Sequence, residues 1–226
     1  MIYNSITLGG LLISIALTCI LFISIQKLKA EKQLKFSFSC ILVCLLICCT
    51  GLLLQLTCSA HYNIPAIYFD YFVYIGTCFL PLAFFFTGLV FSKTKITFNK
   101  YYLFLFIIPI ISLIVLWTND MHNFFYVKYS TIITDTVYGF YFYIHTIYSY
   151  LLIAIGLISL IRYSIKNSGF FSSQSITIII GALIPVAINI LGTFGIIQMS
   201  IYITPISFAI AIFFFALAIF KFDFLK

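Results

Sequence analysis

The chain has 226 residues, of which 64% are hydrophobic and 8% charged, and its mean hydropathy is +1.21. A soluble globule carries several times that share of charge, so soluble enzyme scaffolds and nucleic-acid binding are excluded. Seven spans of ~20 apolar residues each would use up nearly all of the chain's hydrophobic residues, and the formal net charge of +7 needs an origin other than an acidic partner.

In chain order, the apolar runs predict an all-α membrane protein, a seven-transmembrane helix bundle forming one domain over residues 1–226. The first span covers residues 5–25. No basic residue precedes it and no small-residue cleavage site follows it, so it reads as a span and not a signal peptide. Lys27, Lys29, Lys32 and Lys35 come next, then spans at 36–58 and 68–91, then Lys93, Lys95 and Lys100. The fourth span, 101–117, is the shortest. In the connection 118–138, the stretches Phe124 to Ser130 and Ile132 to Tyr138 mix aromatic and β-branched residues with polar ones, which predicts a short β-hairpin lying over the bundle. A fifth span at 139–163 leads to Arg162, Lys166 and a turn at Asn167, Ser168 and Gly169. The sixth and seventh spans, 175–194 and 201–220, precede Lys221 and Lys226. The alternation of a membrane barrel is absent, which leaves helices as the spanning option.

Every lysine and arginine except Lys128 falls on one side of this arrangement. Cations stay cytoplasmic, so the amino terminus is expected outside and the carboxyl terminus in the cytoplasm. The basic balance then reads as a topology signal with attraction to the anionic lipid bilayer. All three histidines, His61, His122 and His145, fall at or near the outer side, which excludes a cytoplasmic phosphotransfer histidine.

Side chains repeating every three or four positions share a helix face. Asp70, Tyr74, Thr77, Cys78 and Pro81 form one such face in the third span. Tyr138, Tyr141, His145, Tyr148 and Ser149 form another, leading into the fifth, and Thr177, Gly181, Pro185, Asn189 and Thr193 a third in the sixth. At ~1.5 Å per residue, His145 lies about 9 Å below the outer end of its helix, and Asn189 lies at a similar depth below its own. Polar groups turned to lipid cost several kcal/mol, so these faces are expected to point inward. They form either a ligand pocket in the outer half, contacted by His145, Asn189, Tyr148 and Tyr74, or interhelical hydrogen bonds that glue the bundle.

Pro81, Pro109, Pro185 and Pro205 favour kinks. They read as bundle shape, with Pro185 beside Asn189 set apart because a carbonyl freed by proline needs a donor. Cys40, Cys44 and Cys48 share a face without Met or His companions and read as packing residues. Hydrolase, zinc-protease and phosphate-loop motifs are absent and no carboxylates pair, so no catalytic residue, metal or cofactor is assigned.

Several segments carry a family resemblance. They are Tyr74-Ile75-Gly76 followed by Pro81, then Ile107-Ile108-Pro109 running to Trp117-Thr118-Asn119-Asp120 and His122. Gly139 to Leu152 with His145, Gln174 with Gly181 to Pro185 and Asn189, and Ile203-Thr204-Pro205 running to Lys221-Phe222 complete the series. In this order the chain resembles the amino-terminal seven-transmembrane sensor region of bacterial and archaeal histidine kinases, a module also found ahead of diguanylate cyclases. The resemblance implies a multi-pass protein of a prokaryotic cell membrane. It also implies a small or amphiphilic ligand, external or membrane-borne, and a homodimer signalling to a cytoplasmic kinase or cyclase partner. The residues from Asn119 to His122 would cap the fourth helix, and the His145 and Asn189 helices would line the outer cavity. Where the family often has an acid just before the tyrosine at Tyr74, this chain has Val73, and Asp70 is the nearest acid. No kinase or cyclase sequence lies within the 226 residues, so no enzymatic activity is expected of them.

The resulting expectation is a sensor. Its ligand contacts are drawn from Asp70, Tyr74, Asn119, His122, Tyr141, His145, Tyr148 and Asn189, and transmission runs through Pro185, Pro205, Phe220 and Lys221. The alternative is a small-solute transporter or channel component, which predicts a polar cavity continuous through the midplane.

Overall fold

The computed structural model describes residues 2–29, 31–92, 99–166 and 170–220. Seven helices form: α1 (Ile2–Lys27), α2 (Lys32–Tyr62), α3 (Ala66–Ser92), α4 (Ile107–Trp117), α5 (Phe140–Lys166), α6 (Phe170–Thr193) and α7 (Thr204–Phe220). All seven spans are long and apolar enough to cross a membrane, the fourth counting the 3-10 turn that leads into α4. Most run a few residues beyond the predicted limits, because hydropathy marks the stretch that tolerates lipid while helical hydrogen bonding continues into the interface. The expected turn at Asn167, Ser168 and Gly169 lies outside the described residues, as do Lys93, Lys95, Lys221 and Lys226.

Local chemistry sets several boundaries. Helix α2 ends where Asn63 adopts a left-handed backbone (φ 54°) and donates its N–H to the Ser59 carbonyl, and Pro65 follows. The fourth span begins with a 3-10 turn, Lys100–Phe106, before it becomes α-helical. Pro109 has no N–H to offer the carbonyl of Leu105 four residues back. The Tyr148 hydroxyl on α5 donates to that carbonyl instead, so the proline-freed acceptor is capped by a neighbouring helix.

The helices close a ring in the order α1, α2, α3, α5, α6, α7, with α4 packed outside α3 and α5. The α3–α5 crossing is close because Gly88 faces Gly156: a Cβ on Gly88 would sit 2.6 Å from the Gly156 carbonyl oxygen. Small residues permit such approaches in membrane bundles, where van der Waals contact replaces the hydrophobic drive. The main core includes the fully buried Leu11, Phe38, Leu42 and Leu160, with Phe38 edge-on to Phe215 of α7 at 5.4 Å. Several buried hydroxyls away from the connections bond within their own helices. Ser14, Thr18 and Thr87 donate to carbonyls four residues back at 2.8, 2.6 and 2.8 Å.

The helix order gathers Lys27, Lys29, Lys32, Lys35, Lys100, Arg162 and Lys166 at one end of the bundle, the lysine end, and Lys128 at the other, the hairpin end. The predicted hairpin is present and shorter than expected. Strand β1 (Tyr126–Lys128) pairs antiparallel with β2 (Val137–Tyr138) through a bulge. A 3-10 turn at Ile133–Asp135 replaces the first half of the expected second strand, because the chain there turns to meet the α6–α7 connection. Ile132 bridges Ser200, Ile133 N–H donates to the Met199 carbonyl (3.0 Å), and Ile201 N–H donates to the Thr131 carbonyl (3.0 Å).

Candidate functional site

The site is built where the hairpin meets α3, α4 and α5. Asp70, one turn into α3, is 5% exposed. Its Oδ2 accepts from the Tyr126 hydroxyl at 2.9 Å, and the Tyr74 hydroxyl lies 3.1 Å from the same Tyr126 oxygen. A phenol has one proton, so Tyr126 donates to Asp70 and accepts from Tyr74. The neighbouring Phe125 is fully buried, edge-on to Tyr74 at 5.1 Å and to Phe142 of α5 at 5.6 Å. The hairpin lies over the bundle end with Val127, Lys128 and Val137 exposed, and sends Phe125 and Tyr126 down as a plug between helices.

Asn119 holds the plug. Its Oδ1 accepts from the Phe125 and Tyr126 amides at 2.9 and 3.0 Å, and its Nδ2 donates to the Tyr126 carbonyl at 2.9 Å. His122 shapes the turn before it: Nδ1 accepts from the Phe124 amide (2.9 Å) and Nε2 lies 3.0 Å from Thr118 Oγ1. Thr118 itself closes α4, its hydroxyl donating to the Ile114 carbonyl at 2.8 Å. The return into α5 needs Gly139, where a Cβ would come within 2.1 Å of the Phe124 carbonyl oxygen. That carbonyl accepts from the Tyr141 amide at 3.0 Å.

Burial pushes the Tyr126 and Tyr129 phenols well above the ordinary tyrosine range and Tyr138 up to about 12. The nearby Asp70 carboxyl pushes the same way. All three stay protonated and able to donate at any physiological pH. Tyr129 reaches Gln55 of α2, whose Nε2 lies 2.6 Å from its hydroxyl. Tyr138 stacks on Phe142 at 3.7 Å.

Of the sequence-predicted contacts, Asp70, Tyr74, Tyr141 and His145 come together around Phe125 and Tyr126. His145 is buried, its Nδ1 3.2 Å from Ser112 Oγ of α4 and its ring 5.9 Å from both Tyr74 and Phe125. Asn119 and His122 serve the loop, and Tyr148 is turned to Leu105. Asn189 stands apart: it is exposed on α6, and its Oδ1 accepts from Thr193 at 3.4 Å, so it does not return to the carbonyl freed by Pro185. The polar groups of the third and fifth stripes thus meet without Asn189, because the hairpin aromatics and α4 pack against α3 and α5 there, while Pro81 and Pro185 of the third and sixth stripes border one void. Pro185 borders a small apolar void. The side chains of Pro205 and Phe220, and all of Lys221, lie outside the described residues.

Sequence reasoning missed Tyr126, Phe125, Ser112 and Gln55. An acid near the end of a span needs a donor, and that was the available signal. Alternation within a loop does not say how deep the loop sits.

Among the described residues, five buried side-chain polar atoms have no hydrogen-bond partner: Gln55 Oε1, Tyr71 OH, Thr134 Oγ1, Tyr141 OH and Ser149 Oγ. Tyr141 OH approaches Ser112 outside hydrogen-bond geometry. All five lie in the hairpin-end half. Among the described residues, no three His, Cys, Asp or Glu side chains gather as a metal site, and Cys48 packs against Thr77 of α3 at 3.5 Å.

The fold and this arrangement define a multi-pass membrane protein of seven helices with a polar, aromatic end. Residues 10–226 match the family described as the N-terminal 7TM region of histidine kinase, and the chain belongs to that family. Its members are membrane sensor modules, the non-catalytic region of those kinases. No curated protein and no solved structure matches the chain.

Proposed function

We propose that this module perceives a small or amphiphilic ligand at the hairpin end and passes the signal through α7 to a cytoplasmic kinase or cyclase output. The hairpin end faces outward from a prokaryotic cell membrane, an orientation supported by the lysines at the opposite end. The observation that carries this reading is that the unpartnered buried atoms found among the described residues, Tyr141 OH and Ser149 Oγ on α5 with those of Gln55, Tyr71 and Thr134, all lie in the hairpin-end half. Native interiors seldom leave such groups unmet, and each one costs ~1–3 kcal/mol until a partner arrives. A ligand with a hydroxyl or carboxyl group would meet them and, by binding one packing better than another, shift the population.

The route to α7 is supported by the backbone bonds of Thr131 and Ile133 to Met199 and Ile201, three to five residues before α7 starts. Movement of Tyr126 would pull on that ladder. A void of about 70 Å³ bordered by Pro81, Pro185, Phe208, Ala211 and Phe215 leaves α7 room to shift. Dimerisation follows from the family resemblance.

The single tryptophan, Trp117, reports on this end, since its Nε1 donates to the Tyr71 carbonyl at 3.3 Å. Octanol and octanoic acid titrated onto nanodisc-embedded protein should shift Trp117 emission saturably. Tyr141→Phe combined with Ser149→Ala should lose saturation. A linear response in wild type, or the same saturation in the variant, would remove ligand perception from this cluster.

A further inference from the structure

A large groove lies in the half of the bundle opposite the perceiving site. It holds about 1080 Å³ between α1, α2, α3 and the start of the fourth span, at the top of the usual ~300–1,000 Å³ range for small-molecule sites. Its walls are apolar, among them Val43, Ile47, Phe79, Phe86 and Phe106, and its mouth carries Lys32 and Lys35. We propose that this groove binds one anionic phospholipid from the leaflet at the lysine end, its acyl chains along α2 and its phosphate on the two lysines.

Three observations carry the assignment. The first is length: from Lys35 to Ile47 the groove follows twelve residues of α2, about 18 Å at ~1.5 Å each, close to the ~15 Å hydrocarbon depth of one leaflet. The second is charge. Lys35 Nζ donates to the Gln26 and Leu28 carbonyls at 2.5 and 3.4 Å. These bonds fix the ammonium at the mouth and leave one of its three donors. Lys32 is exposed beside it, while Glu31, the acid next in sequence, does not line the cavity. The third is the helix terminus. Helix α2 starts at Lys32 without a side-chain cap, so its first amides are open to a phosphate at the same mouth.

The test is native mass spectrometry of the full chain released from nanodiscs of equal phosphatidylglycerol and phosphatidylcholine. Wild type should retain one phosphatidylglycerol per chain in preference to phosphatidylcholine. Lys32→Gln should reduce that preference about fivefold. Val43→Trp, at a position already exposed on the groove wall, should lose retention of both lipids. Equal retention of the two lipids by wild type would overturn the headgroup assignment, and unchanged retention in Val43→Trp would overturn the groove. A dimer that Val43→Trp splits would give the groove to a second copy of the chain and overturn the lipid.

Discussion

Asn119 joins the loop to itself with three buried hydrogen bonds, an amide side chain matched to the backbone of Phe125 and Tyr126. Asn119→Ala leaves two buried amides and one carbonyl unmet, at ~1–3 kcal/mol for each group. Its thermal unfolding midpoint should fall clearly. His122→Ala, which removes bonds at an exposed turn, should lower it less. Equal midpoints for the two variants would contradict the role given to Asn119. At this scale the sequence is informative where a residue is costly in its place. Asp70, Tyr74 and His145 stand out because a polar group inside a span needs a partner, and each has one. Asn189 stands out equally and settles for Thr193 one turn away. Tyr126 does not stand out, because a tyrosine in a loop is ordinary until the loop is known to be a plug.

The fourth span shows how one residue shapes an element. Pro109 frees the Leu105 carbonyl, and Tyr148 on α5 fills it. Tyr148→Phe should therefore destabilise the protein by about 1–3 kcal/mol. In a Pro109→Ala background, where residue 109 regains its N–H, the same change should cost measurably less. A double-mutant cycle on unfolding free energies reads the coupling, and strict additivity would rule it out. Helix existence was legible throughout, since seven apolar runs separated by lysines leave few alternatives. The second hairpin strand was legible only in part. Its residues have strand propensity, yet Ile132 and Ile133 pair with Ser200 and Met199, a contact nearly seventy positions away that no local pattern encodes.

For the whole molecule, the two ends differ in kind: hydrogen-bonding aromatics at one, an apolar groove with a lysine mouth at the other. Orientation is open to direct measurement. In a Cys58→Ser background, a membrane-impermeant maleimide should label Met121→Cys, at a position 84% exposed in the turn between α4 and the hairpin, in intact cells. It should label Lys32→Cys only after permeabilisation, and the reverse pattern would invert the bundle. The coupling of the Tyr126 plug to α7 through the Thr131–Ile133 and Met199–Ile201 backbone is the claim on which signalling rests. Hydrogen–deuterium exchange on nanodisc-embedded Tyr126→Phe tests it most directly. Exchange should quicken at the amides of Ile133 and Ile201 and in the first turn of α7, as well as around Tyr126. Faster exchange confined to residues 119–130, with 199–206 unchanged, would contradict the coupling.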